Sequence, residues 1–152
     1  MRPSLPVSAP EFATGGMADC TAAKVRRLAR RVTQIYDEGL APHGLTVGQF
    51  GLLACLRRRE GVGVGALAER LGADASTVAR LLKPLRAADL LVIVPDSSDR
   101  RAKSIRLTDT GAAKLRAAAA GWGSAQARVR AALGEGRLAS LHFTLDDARA
   151  YR

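Results

Sequence analysis

The chain has 152 residues, enough for one domain with a real hydrophobic core. Lysine and arginine total 24 against 14 aspartate and glutamate, a net charge of +10, while aromatics make up only 4%; this balance suits a small helical protein that meets a polyanion. The cysteines, Cys20 and Cys55, are too few for a disulfide scaffold and too far apart for a zinc-ligand spacing, which points to a reducing, cytoplasmic setting, and no run of about 18 apolar residues exists to form a spanning helix.

The opening stretch MRPSLPVSAPEFATGG is rich in Pro, Ser and Gly and lacks the apolar segment and basic start of a signal peptide. It reads as a disordered tail, in part foreign to the native chain, with Met17 a candidate native start. From Cys20 to Leu40 the apolar positions Val25, Leu28, Val32, Ile35 and Tyr36 recur at helical spacing, and Arg26, Arg27, Arg30 and Arg31 give the helix a strongly basic face. Pro42 and Gly44 break it. TVGQ then has the form of a capping box, Thr46 with Gln49, opening a second helix to about Arg59.

Glycines at 61, 63 and 65 leave room for a very short strand, and GALAERLG reads as a third helix closed by Gly72. Asp74 is a good N-cap for a fourth helix, whose Val78, Leu81, Leu82 and Leu85 fall on one face. Two helices joined by GAD outline a helix-turn-helix. Pro84 interrupts the fourth helix, where proline costs roughly 3 kcal/mol. Either the helix is kinked there, beyond its first two turns, or it ends near Lys83 and the rest forms a separate turn.

LLVIVP and SIRLT read as two strands of a hairpin whose tip carries Arg100, Arg101 and Lys103. A Thr108 cap then opens one long alanine-rich helix, weakened in its middle by Gly121 and Gly123. The closing GEGRLASLHFTLDDARAYR is too irregular to read as a helix over its whole length.

LAERLGADASTVARLLKPLRAADLLV followed by DSSDRRAKSIRLTDTG resembles the MarR family of winged helix-turn-helix transcriptional regulators, and YDEGLAPHGLTVGQFGLLACL adds a matching first-to-second helix junction. The resemblance implies a mainly α fold with a small β-hairpin wing and an intertwined helical dimerisation region. It divides the chain into a tail (1–18), an N-terminal dimerisation helix (19–44), a winged helix-turn-helix (45–108) and C-terminal dimerisation helices (109–152). It further implies a homodimer on a pseudo-palindromic double-stranded DNA operator, in many members released by a small aromatic or phenolic effector. No cofactor, metal or membrane is implied.

On a helical wheel Ser76, Arg80, Lys83 and Ala87 cluster opposite the leucines, with Thr77 at the border. Ala75, Ser76, Thr77 and Arg80 match the family's base-reading positions, and Arg80 is of the type that meets guanine O6 and N7 in bidentate fashion. Arg101 matches the family's minor-groove arginine. Asp99 would orient or pair with it, and Arg100 or Lys103 would touch phosphate. Tyr36, His43, Phe50 and Trp122 are the candidates for holding a small aromatic acid, which requires an apolar cleft with a few polar groups. Two rival readings remain: a repressor switched by Cys20 oxidation, and a winged helix used for protein or RNA contacts. No nucleophile, base and oxyanion constellation suggests an enzyme.

Overall fold

Hydrogen bonds local to each segment fix where the helices begin. The computed structural model describes residues 19–99 and 101–147, so the expected tail, Arg100 and residues 148–152 lie outside the described part. Helix α1 spans Thr21–Leu40 and is followed by a 3-10 turn at Ala41–His43. The described residues fall into two units, one up to Thr33 and the other from Gln34 onward. Within the first, the Lys24 ammonium pairs with Asp19 at 3.2 Å, and the arginines of the basic face are exposed.

In the second unit, α2 covers Val47–Ala54 and opens on the expected capping box: Thr46 Oγ1 accepts from the Gln49 N–H, and Gln49 Oε1 from the Thr46 N–H. The Asp37 carboxylate accepts a further orphan donor, the Val47 N–H, at 2.7 Å. Helix α2 stops at Ala54, short of the expected Arg59. The Cys55 and Leu56 amides fold back onto Leu52 and Leu53, and the Arg57 carbonyl is taken by the Leu107 N–H at 3.0 Å, so the backbone is diverted toward the sheet.

Strand β1 (Val62–Gly63) leads into α3 (Val64–Leu71), closed by Gly72 in the left-handed region at φ 59°. Helix α4 runs from Ala75 to Ala87 without a break at Pro84, which excludes termination near Lys83. Strands β2 (Leu91–Pro95) and β3 (Lys103–Leu107) form the hairpin, and β1 adds to its other side in the order β1-β3-β2, all antiparallel. Val62 faces Ile105, Leu91 faces Leu107, and Pro95 faces Lys103. The core gathers Leu40, Leu53, Leu67, Val78, Leu85 and Ile105 from α1 through β3.

Helix α5 is continuous from Asp109 to Leu133 and α6 from Glu135 to Asp147. The described part of the C-terminal stretch is therefore helical from Glu135 to Asp147 where its pattern looked irregular; among those residues only Leu138 is buried, while Phe143 and Leu145 are exposed. The glycines in α5 differ in meaning. A Cβ on Gly121 would stand 2.3 Å from the Gly39 carbonyl oxygen, and one on Gly39 2.7 Å from the Gly121 oxygen, so the end of α1 crosses α5 backbone to backbone. Nothing lies within 4 Å of a Cβ on Gly123.

The two glycines should respond to alanine with opposite signs. Gly121→Ala forces backbone apart and is expected to destabilise by about 1–3 kcal/mol, whereas Gly123→Ala gains helix propensity of up to about 1 kcal/mol; thermal melts of the two variants check both signs.

Candidate nucleic-acid interface

Asp74 organises the first turn of α4. Its carboxylate accepts from the Thr77 N–H and from the Ser76 hydroxyl, each at 2.7 Å, and Arg80 Nη2 donates to Thr77 Oγ1 at 3.2 Å. In the sequence Asp74 reads as a cap only. Here it also positions two of the candidate side chains. Those bonds, led by the Thr77 backbone N–H and then the Ser76 hydroxyl, pull the Asp74 carboxyl down to about 2. Val78, Leu82 and Leu85 turn into the core, while Ala75, Ser76, Arg80 and Lys83 stand exposed and Thr77 half-buried.

The wing is built from two further aspartates. Asp96 accepts from the Ser98 hydroxyl at 2.6 Å, from the Ser98 N–H at 2.8 Å and from the Asp99 N–H at 3.3 Å. Its carboxyl is held below the ordinary carboxylate range by the Ser98 hydroxyl first, then the backbone donors. Asp99 in turn accepts from the Arg101 N–H at 2.9 Å, and its carbonyl from the Ala102 N–H. Asp99 thus holds Arg101 through its backbone, and the Arg101 side chain is exposed. Sequence reasoning passed over Asp96, although an aspartate two residues before a serine at a strand end is the signal for an Asx-turn. Lys103 is not at the tip: it is the first residue of β3, opposite Pro95. Arg100 lies outside the described residues.

Three of the four ligand candidates come together where α1, α2 and α5 meet. The rings of Phe50 and Trp122 stack at 12° with centroids 6.1 Å apart, and Tyr36 tilts against Trp122 at 6.3 Å. The Tyr36 hydroxyl donates to Gln126 Oε1. Burial pushes its phenol above the ordinary value, with Arg130 opposing. His43 Cδ2 sits 3.5 Å from where a Gly121 Cβ would be, beside the same helix crossing. Cys20 and Cys55 are both free thiols.

The sequence pattern of the MarR family matches residues 43–102, from the end of the 3-10 turn to the tip of the wing. In solved structures, a DNA complex of the M. tuberculosis transcriptional regulator MosR superposes with a TM-score of 0.73 at 34% identity, covering 88% of this chain and 99% of that one. The chain belongs to the MarR family. CouR from Rhodococcus jostii RHA1 bound to p-coumaroyl-CoA is similar at 27% identity and a TM-score of 0.71, over 87% of this chain and 93% of CouR. The transcriptional repressor NicR of Pseudomonas putida is 31% identical over 91 residues, 60% of this chain and 58% of NicR. The match thus spans little more than half of that relative. MarR-family proteins are winged-helix transcriptional regulators rather than enzymes. No helix among the described residues is long and apolar enough to cross a membrane.

Because the Asp74 carboxyl is depressed in the folded chain, the stability it adds is fully present above the ordinary value of 3.8 and is lost as pH falls toward about 2. The melting-temperature gap between wild type and Asp74→Ala should therefore close over that window. Asp74→Asn, which caps without a charge, should show no such titration.

Proposed function

We propose that this MarR-family regulator is a homodimeric repressor that reads a pseudo-palindromic operator with α4 in the major groove and Arg101 in the adjoining minor groove, and that a small aromatic effector releases it. One observation carries the reading: α4 commits Val78, Leu82 and Leu85 to the core and leaves Ser76, Arg80 and Lys83 exposed together, above a first turn locked by Asp74. Arg80 offers the bidentate fork that guanine O6 and N7 require, and small Ala75 and Ser76 permit close approach. The wing presents Arg101 from a turn whose backbone is already fixed, so little order is left to be gained on binding. Arg100 and Lys103 supply phosphate contacts, and Asp99 acts through the Arg101 backbone.

Dimerisation rests on α6, with the remaining share assigned to α1 and α5. Phe143 is 76% exposed and Leu145 54%, apolar surface that a second copy would cover. The effector reading rests on Tyr36, Phe50 and Trp122, with His43 beside them, and on the aromatic ligand of CouR. An aromatic acid that displaced Trp122 from Phe50 would loosen α2 from α5, and with it the winged helix.

In gel shifts with DNA from upstream of its own gene, Arg80→Ala and Arg101→Ala are each expected to weaken binding, and Arg80→Ala to relax base preference by about 1–3 kcal/mol. Affinity should fall steeply with salt. Hydroxylated aromatic acids should release the complex in the same assay. Unchanged affinity in both arginine variants at moderate salt contradicts the groove assignment. Separately, Phe143→Glu should shift the sedimentation of the protein toward monomer; a variant that remains dimeric removes α6 from the interface.

A further inference from the structure

We propose that the arginine face in the N-terminal half of α1 is a second grip on duplex DNA, one that holds phosphates without reading sequence. Lys24, Arg26, Arg27, Arg30 and Arg31 are exposed and stand in that half, while the acids of the helix, Asp37 and Glu38, come only in its last turn. This order opposes the helix dipole, which favours acids near the N-terminus and cations near the C-terminus. Arg26 and Arg30 are also four residues apart, the spacing at which like charges destabilise a helix. No carboxylate among the described residues pairs with Arg26, Arg27 or Arg30. Charge that weakens its own helix on two counts, and is not neutralised by these neighbours, is placed to meet an external anion.

The geometry selects a polyanion. At about 100° per residue, Arg26, Arg27 and Arg30 share an arc of about 100° opposite Val25, Leu28 and Val32. A dimer packed on those apolar residues leaves the arginines open. Arg26 and Arg30 stand about 6 Å apart along the helix axis, close to the rise of two nucleotides on one strand, about 7 Å.

Duplex DNA is the polyanion this chain meets at close quarters. Its family includes a regulator solved on DNA, and once one part of a chain is held on a duplex, further phosphates are available at high effective concentration. An anionic membrane fits less well, because a helix lying in a lipid surface needs a broad apolar face. Here Leu28 and Val32 are half-buried, and of the larger apolar residues on that side Val25 alone is largely exposed, at 55%. The grip goes beyond the operator reading and does not depend on it.

The test uses the full chain carrying Arg80→Ala and Arg101→Ala, which lacks the proposed groove contacts, and a labelled duplex of scrambled sequence followed by fluorescence anisotropy over a salt series. Residual binding is expected. Adding Arg26→Gln, Arg27→Gln and Arg30→Gln should weaken it about tenfold and lower the slope of log affinity against log salt by about three, one for each lost phosphate contact. Lysine at the same three positions should preserve both, which separates lost charge from lost folding. Arg58→Gln, Arg59→Gln and Arg116→Gln remove the same net charge from other exposed positions and should leave most of the binding in place. Unchanged binding in the α1 glutamine variant, an equal loss in the control, loss in the lysine variant, or arginine-dependent binding to phosphatidylglycerol vesicles with unchanged DNA affinity each overturns the proposal. Failure of the operator reading shows separately, as undiminished operator affinity in the Arg80→Ala, Arg101→Ala chain.

Discussion

The Thr108 hydroxyl is the joint on which the arrangement of the winged helix depends. It accepts from the Gly111 N–H at 2.9 Å, which starts α5, and donates to the Asp89 carbonyl at 2.7 Å, which closes the exit of α4. The Thr108 amide donates to the Leu90 carbonyl, and the neighbouring Leu107 amide to Arg57. Asp89 itself sits in the left-handed region at φ 56°, a conformation aspartate tolerates better than most residues, and this lets the chain turn from α4 into β2 within a few residues. The end of the recognition helix, the end of the sheet and the start of the long helix are thus one hydrogen-bonded unit. A displacement of α5 is carried to α4 without passing through a flexible linker.

Pro84 illustrates how a local rule yields to its surroundings. Lacking an N–H, it leaves the Arg80 carbonyl without its helical partner, the cost that makes proline rare in helix interiors. Both Arg80 and Pro84 are on the exposed side of α4, where water can serve that carbonyl, while Leu82 and Leu85 on the other side hold the helix to the core. The next turn is restored at once, since the Ala88 N–H reaches the Pro84 carbonyl at 3.0 Å. Burial on one face keeps the helix whole through a residue that would end an isolated one.

The caps at Thr46, Asp74 and Thr108 were legible because each is a bond between residues three apart, and the core faces of α4 and the hairpin were legible because their apolar periods are clean. What escaped the sequence depends on partners distant in the chain. The end of α2 is decided by Leu107, which claims the Arg57 carbonyl, and the value of Gly121 by the Gly39 backbone. Helix α6 blurred its own period because Phe143 falls on the wheel opposite Leu138, Leu141 and Leu145, and of these apolar residues only Leu138 is buried. Of the candidate site, α4 was readable from the wheel. The wing was readable in its charges but not in its turn, because Asp96 acts on backbone donors and leaves no periodic trace.

The acids beside the proposed DNA face then need a reason, since carboxylates repel phosphates. Asp74, Asp96 and Asp99 each accept hydrogen bonds from nearby donors, and every one of them fixes a segment that bears a candidate contact: the first turn of α4, the wing turn and the Arg101 backbone. The same donors depress Asp74 and Asp96, so these two stay ionised near neutral pH and their bonds retain charge-assisted strength. Some attraction to the polyanion is given up, and a surface already in its binding geometry is gained. With a net charge of +10 the chain has attraction to spare, whereas order in an exposed turn is harder to come by.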